Sequence, residues 1–186
     1  MNLFEKQQQG YTYADFIAKY ANDVQKERWR QAHAQMHLTP SQNDLLASFT
    51  RQMPVLVLAG AWCGDCINQC PIFEHFAAAT AHIQTRYLDR DDHADVQREL
   101  QICGGNRVPV VVFFSADGFE IARHGERTLS KYRQLMREKA GPTCPTGIAV
   151  SNDPLAVQVT QDWLNEFERV QWLLRLSPRL RQQHGD

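Results

Sequence analysis

Pro54-Val55-Leu56-Val57-Leu58-Ala59-Gly60-Ala61-Trp62-Cys63-Gly64-Asp65-Cys66 is the stretch on which the reading of this chain turns. Val55 to Leu58 is short, unbroken and half β-branched, the pattern of a strand covered on both faces in a parallel sheet. Ala59-Gly60 ends it. From Cys63 to about Thr80 the spacing becomes helical, with Ile67, Cys70, Phe73 and Phe76 on one face able to pack on that strand. The local order is therefore strand, cysteine turn, helix.

Working toward the N-terminus, Thr39-Pro40 followed by Gln42 is a helix start. The threonine hydroxyl can cap orphan N–H groups while Gln42 reaches back. This helix is expected to run to about Gln52. Before it, Tyr13, Phe16, Ile17, Tyr20 and Val24 recur every three or four positions, so Thr12 to about Met36 reads as a helical segment.

Working toward the C-terminus, Ile83 to Leu88 is a second strand and His93 to Ile102 another helix. Gly104-Gly105 and Val108-Pro109 then lead into the apolar run Val110 to Phe114, completing an expected βαβ unit. Ala116-Asp117-Gly118 turns the chain into Phe119 to Ala122, a spacing that suits an antiparallel hairpin. Gly125 ends that strand, and Leu129 to Met136 is again helical. Gly141 to Asp153 holds Pro142, Pro145 and Gly147 and reads as a connector to a last helix starting at Asp153-Pro154. On it Ala156, Val159, Trp163, Phe167, Val170 and Leu174 form an apolar stripe that calls for burial.

Cys63 and Cys66 stand one helical turn apart at the start of a helix. Unpaired N–H groups and the positive end of the helix dipole favour a thiolate at Cys63, the form that attacks a disulfide. Cys66 is placed to resolve the resulting mixed disulfide. Structural zinc sites share the C-x-x-C spacing, but tetrahedral zinc needs two more ligands and neither a second such pair nor H-x₃-H is present. Cys70 and His75 diverge on a continuous helix. No metal is assigned, and a cysteine-based metal site stays as an alternative.

Trp62-Cys63-Gly64-Asp65-Cys66 after an apolar strand resembles the active-site turn of the thioredoxin family, with Asp65 where thioredoxin itself carries proline. Val108-Pro109 falls at the interval where that family places a cis-proline loop. The resemblance covers roughly Thr39 to Met136. It implies a thioredoxin-like α/β fold, a central mixed sheet flanked by helices, with extra N-terminal and C-terminal helices. The expected organisation is a helical extension at 1–38, the thioredoxin-like domain at 39–140, and a connector and C-terminal helix packed on the core at 141–186.

The same resemblance implies that Cys63 and Cys66 are catalytic, and that Trp62, Gly64, Asp65, Val108 and Pro109 contact substrate, the Val108 backbone pairing with an extended segment. Pro109 would be cis. Val57 stands where the family's buried aspartate assists the second cysteine, and Tyr87 where its lysine partner is expected. Asp65 brings a negative charge that opposes the Cys63 thiolate, so a reducing pair with a modestly raised nucleophile pKa is expected.

Twenty Lys and Arg nearly cancel twenty-one Asp and Glu, which leaves no field for nucleic acid or an anionic membrane. No stretch approaches the roughly 20 apolar residues of a spanning helix. Met1 to Gly10 lacks a secretory pattern, from which a cytoplasmic location is expected. Cys70 and Cys103 read as packing residues, Cys144 as incidental, and His33 and His37 as solvent-facing. Asp89, Asp91 and Asp92 read as a solvated turn with a helix cap, and Arg175, Arg179 and Arg181 as surface charge.

Together these features point to a thiol–disulfide oxidoreductase that reduces protein disulfides without an organic cofactor. Its electron donor would be a thioredoxin reductase or a low-molecular-weight thiol. A glutathione-linked or peroxide-handling enzyme, and a non-enzymatic adaptor that keeps the fold, are the alternatives.

Overall fold

The computed structural model describes residues 1–140 and 153–186. Four strands form one mixed sheet in the order β2-β1-β3-β4. These are β1 (Met53–Ala59), β2 (Ile83–Asp89), β3 (Val110–Phe114) and β4 (Glu120–Gly125). β1 runs parallel to β2 and antiparallel to β3, which is antiparallel to β4. Every residue of β1 is buried, as its unbroken apolar run requires.

The crossover from β1 to β2 is α5 (Gly64–Ala79), with Cys63 at its N-cap. The helical face expected there is present: Ile67, Cys70, Phe73 and Phe76 are all buried. The expected βαβ unit from β2 to β3 is not formed, because β3 pairs antiparallel with β1. α6 (Ala94–Glu99) has only six residues and ends before Ile102. It advances about 9 Å, against about 23 Å for a seven-residue strand, so it cannot carry the chain back to the sheet's other end.

The N-terminal part also departs from a single helical segment. It comprises α1 (Leu3–Gln8), α2 (Tyr13–Tyr20) and α3 (Asp23–Gln35). The break falls at Ala21-Asn22 because Asn22 and Gln25 form a reciprocal capping box, each side chain accepting the other's backbone N–H at 2.9 Å. Val24 therefore starts a new helix, 73% exposed, instead of continuing the buried stripe. Phe16 and Trp29 carry the burial, and both pack around Tyr87 of β2 with Tyr13. Tyr11 makes an antiparallel bridge to Tyr87, its N–H donating at 2.9 Å and its carbonyl accepting at 2.8 Å.

α4 (Pro40–Ala47) has the expected Thr39–Gln42 capping box but stops five residues short of Gln52. α7 (Leu129–Ala140) follows β4, and Phe119, expected in that strand, lies outside it and is 58% exposed. The proline-rich connector with Cys144 lies outside the described residues.

α8 (Leu155–Leu176) buries Val159, Trp163, Phe167, Val170 and Leu174, while Ala156 is exposed. Phe167 meets Phe73 and Phe76 of α5 and Phe113 of β3, with ring centroids 5.0 to 5.8 Å apart. Each such ring contributes about 1.5–3 kcal/mol by leaving water. Gln171 extends the grip: its Oε1 accepts from Arg51 N–H at 2.8 Å and its Nε2 donates to Arg51 carbonyl at 3.1 Å. A further short helix, α9 (Pro178–His184), begins where Ser177 caps it. Among the described residues no helix is long and apolar enough to cross a membrane.

Candidate functional site

The sheet delivers two thiols and a proline loop to one place. Cys63 is half-buried and Cys66 fully buried, both free thiols. Val108-Pro109 is a cis peptide bond. The Cys63 Sγ donates to the carbonyl oxygen of Val108 at 3.6 Å. Gly125, at the end of β4, allows this loop to sit close: a Cβ there would lie 2.7 Å from the Pro109 carbonyl oxygen.

Gly64 is exposed at the first turn of α5, and nothing lies within 4 Å of where its side chain would start. Trp62 is 45% exposed. The seven residues expected at the site, Trp62 to Cys66 with Val108 and Pro109, thus come from two loops that meet at Cys63.

Hydrogen bonding with the Cys66 thiol and then burial push the Cys63 thiol up, against the lowering effect of the Asp65 and Cys66 backbone N–H groups. Burial does the same to Cys66. The expected direction for Cys63 therefore holds, with a different cause. Asp65 does not bear on the thiol as a bare charge, because Arg127 Nη2 lies 2.7 Å from its carboxylate. Arg127 also meets Glu126 at 2.8 Å, and Glu126 is itself buried. Val57 and Tyr87 are both buried, and the Tyr87 hydroxyl donates to the Cys70 carbonyl at 3.4 Å.

Several supporting residues carry no signal in the sequence motif. Trp29 Nε1 donates to the Ala61 carbonyl at 2.8 Å, pinning the turn before Trp62 from α3. Trp163 Nε1 donates to Gln69 Oε1 at 2.8 Å, and Gln69 Nε2 donates to the Glu126 carbonyl at 3.0 Å. Both terminal helical parts thus bond directly to the site's framework. The signal that could have found them is the pair of tryptophans on otherwise amphipathic helices, since a buried indole N–H seeks an acceptor.

Other expectations change. Cys70 is buried as expected, but Cys103 is exposed in the Ile102–Gly105 turn at φ 51 and packs into no core. A two-residue loop ahead of Gly105 needs the left-handed region, which places the side chain outward. His33 is not solvent-facing: its ring stacks on His75 at 4.4 Å, because α3 lies on α5. The acidic turn is built, not merely solvated. Asp89 is buried and accepts from Asp91 N–H at 2.8 Å, Asp91 accepts from Trp62, and Asp92 accepts from the Tyr20 hydroxyl at 2.8 Å. Burial and that carboxylate push Tyr20 up to about 12. No side chain caps α6. Arg179 pairs with Asp117 and stacks on Phe119.

Among the described residues no three His, Cys, Asp or Glu side chains converge as metal ligands. A cavity of about 530 Å³ between α3, α5 and α8 touches the site only along Asp65, Asn68 and Gln69, away from the sulfur of Cys63.

Comparison with known proteins adds three findings. A family model described as thioredoxin matches residues 10–140. Protein disulfide-isomerase tigA of Aspergillus niger is 29% identical over 85 residues, which are 43% of this chain and 23% of that protein. The chain thus spans under a quarter of that relative's length. A solved protein of unknown function from Pseudomonas aeruginosa shares the fold at TM-score 0.69 and 14% identity, over 91% of this chain and 96% of that one. An HIV epitope-scaffold matches at the same TM-score, with 13% identity over 91% and 97% of the two chains.

Proposed function

The chain belongs to the thioredoxin family, and from that premise we propose that it reduces protein disulfides by dithiol–disulfide exchange through Cys63 and Cys66. The observation that carries this reading is the half-buried Cys63 thiol at a helix N-cap, 3.6 Å from the carbonyl that precedes a cis proline, with a second thiol one turn on. The likeness to a protein disulfide-isomerase over 85 residues supports it.

In the proposed reaction Cys63 loses its proton and its sulfur attacks one sulfur of the substrate disulfide. That S–S bond breaks, and the departing thiolate takes up a proton. Cys66 then loses its proton and attacks the Cys63 sulfur of the mixed disulfide. The second substrate thiol leaves, and the pair ends as a Cys63–Cys66 disulfide, two electrons having passed to the substrate. Trp62, Gly64, Asp65, Val108 and Pro109 form the walls against which an extended substrate segment lies. A thioredoxin reductase or a low-molecular-weight thiol returns the two electrons, which suits a reducing compartment such as the cytoplasm.

The test is reduction of insulin disulfides under a dithiothreitol supply. Wild type is expected to turn over and Cys63→Ser to be inactive. Equal rates for the two proteins would overturn the reading in favour of an adaptor that keeps the fold without the chemistry.

A further inference from the structure

We propose that Arg90 is a positioning residue, which holds the Trp62 ring beside Cys63 and ties it to the loop that carries Val108 and Pro109. Trp62 is a large ring left 45% exposed, on a turn of the main chain. Such a ring has solvent on one side and would sample several rotamers unless held. It is held from three directions. The Arg90 guanidinium lies over it, 4.5 Å from the ring centroid. Asp91 Oδ2 accepts its indole N–H at 3.3 Å. On a third side is Gly60, where an added Cβ would stand 2.8 Å from Trp62 Cε2.

Arg90 is the member that joins these pieces to one another. Its Nε and Nη2 both donate to Asp91 Oδ1 at 2.9 Å, fixing the carboxylate that receives the indole. Its Nη1 donates to the Asn106 carbonyl at 3.2 Å, two residues ahead of Val108. Its own backbone N–H donates to the carbonyl of Ala59, the last residue of β1. One planar fork thus spans the turn before Cys63, the turn after β2 and the approach to the proline loop.

As a salt bridge alone, an adjacent Arg–Asp pair at the surface is worth little. The consequence lies in the geometry. Lysine has a single charged point and cannot stack on the indole while donating in two other directions.

The functional part of this inference rests on the exchange chemistry proposed above. A polypeptide disulfide must lie between Trp62 and the proline loop, whereas a small disulfide needs only the sulfur of Cys63. Loss of Arg90 therefore weakens binding of the protein substrate selectively.

The experiment compares wild type, Arg90→Ala, Arg90→Met and Arg90→Lys with insulin and with hydroxyethyl disulfide. Arg90→Met keeps the aliphatic stem in case the alanine variant folds poorly. For the alanine and methionine variants the KM for insulin is expected to rise about tenfold, the scale of one lost ring contact with its hydrogen bond. Their kcat and their rate with hydroxyethyl disulfide should stay within about twofold, as only ground-state binding is lost. Lysine should restore part of the insulin KM.

The same variants are read by ¹⁵N NMR of the Trp62 indole, whose N–H should exchange with water faster once Arg90 is lost. An unchanged insulin KM, or equal losses on both disulfides, would overturn the selective role. An unchanged indole exchange rate would overturn the positioning itself. If wild type reduced neither disulfide, the exchange reading would fall, while the indole measurement would still decide whether Arg90 holds Trp62.

Discussion

Arg127 Nη2 lies 2.7 Å from Asp65 Oδ2, so the acidic residue inside the cysteine motif is matched by a guanidinium from the segment after β4. The pair is partly buried, at 24% and 21% side-chain exposure, and sits on the first turn of α5 beside Cys63. Removing the cation leaves the carboxylate to oppose the thiolate. In Arg127→Ala, alkylation of Cys63 by iodoacetamide at neutral pH should slow roughly two- to fivefold. Arg127→Ala with Asp65→Asn should recover the rate; no slowing in the single variant would mean that Asp65 is already silent.

The bond from Trp163 to Gln69 makes α8 a structural part of the site's framework. Gln69→Leu leaves the Trp163 indole and the Glu126 carbonyl without their buried partner. This should cost about 2–4 kcal/mol in urea unfolding, because orphaned buried groups lose their full solvation. A loss under 1 kcal/mol would show that water reaches both groups.

The described cysteines should separate by exposure under native labelling with a maleimide, followed by peptide mass mapping. Cys103, outward on its turn, reacts first and Cys63 more slowly. Cys66 and Cys70 react only after unfolding. Early modification of Cys70 would contradict the packing of α5 on β2.

Burial holds the His124 imidazole below its ordinary value of 6.5, opposed by Glu166 and Asp162 and assisted by Arg169. His33 is lowered in the same direction, by burial and by His75. A histidine lowered on folding binds its proton more readily in the unfolded chain. Stability should therefore be full above pH 6.5 and fall as the pH drops below it toward the folded values. Urea midpoints measured between pH 8 and pH 5 should show this slope, and His124→Gln should flatten part of it. A midpoint that rises on acidification would contradict the assignment.

Local pattern carried most of the fold. The β1 run, the α5 face and the Thr39–Gln42 box are properties of neighbouring residues, and each appears where its spacing put it. The direction of β3 was not legible, since it depends on whether α6 is long enough to recross the sheet, and its ends are set by tertiary packing. The Asn22–Gln25 box was legible in principle, but the apolar spacing on either side of it masked the break.

At the site, the cysteine turn and the proline loop could be read because each is a short motif. Arg127, Arg90 and Gln69 could not, because each acts on a partner 29 to 94 positions away or across a turn whose geometry the motif leaves open. The cause of the raised Cys63 pKa was misread for the same reason. A charge can be counted in sequence, but its neutralising partner cannot be found there.

The bridge between Tyr11 and Tyr87, with Gln7 Nε2 donating to the Gln84 carbonyl at 3.2 Å, occupies the outer side of β2. That side would otherwise offer free peptide groups in a row, a template on which a second chain can add a strand. The first dozen residues thus act as a guard against self-association. A chain clipped after Thr12 would retain both thiols and yet gain a sticky border, so its losses would show as concentration-dependent precipitation before they showed as chemistry.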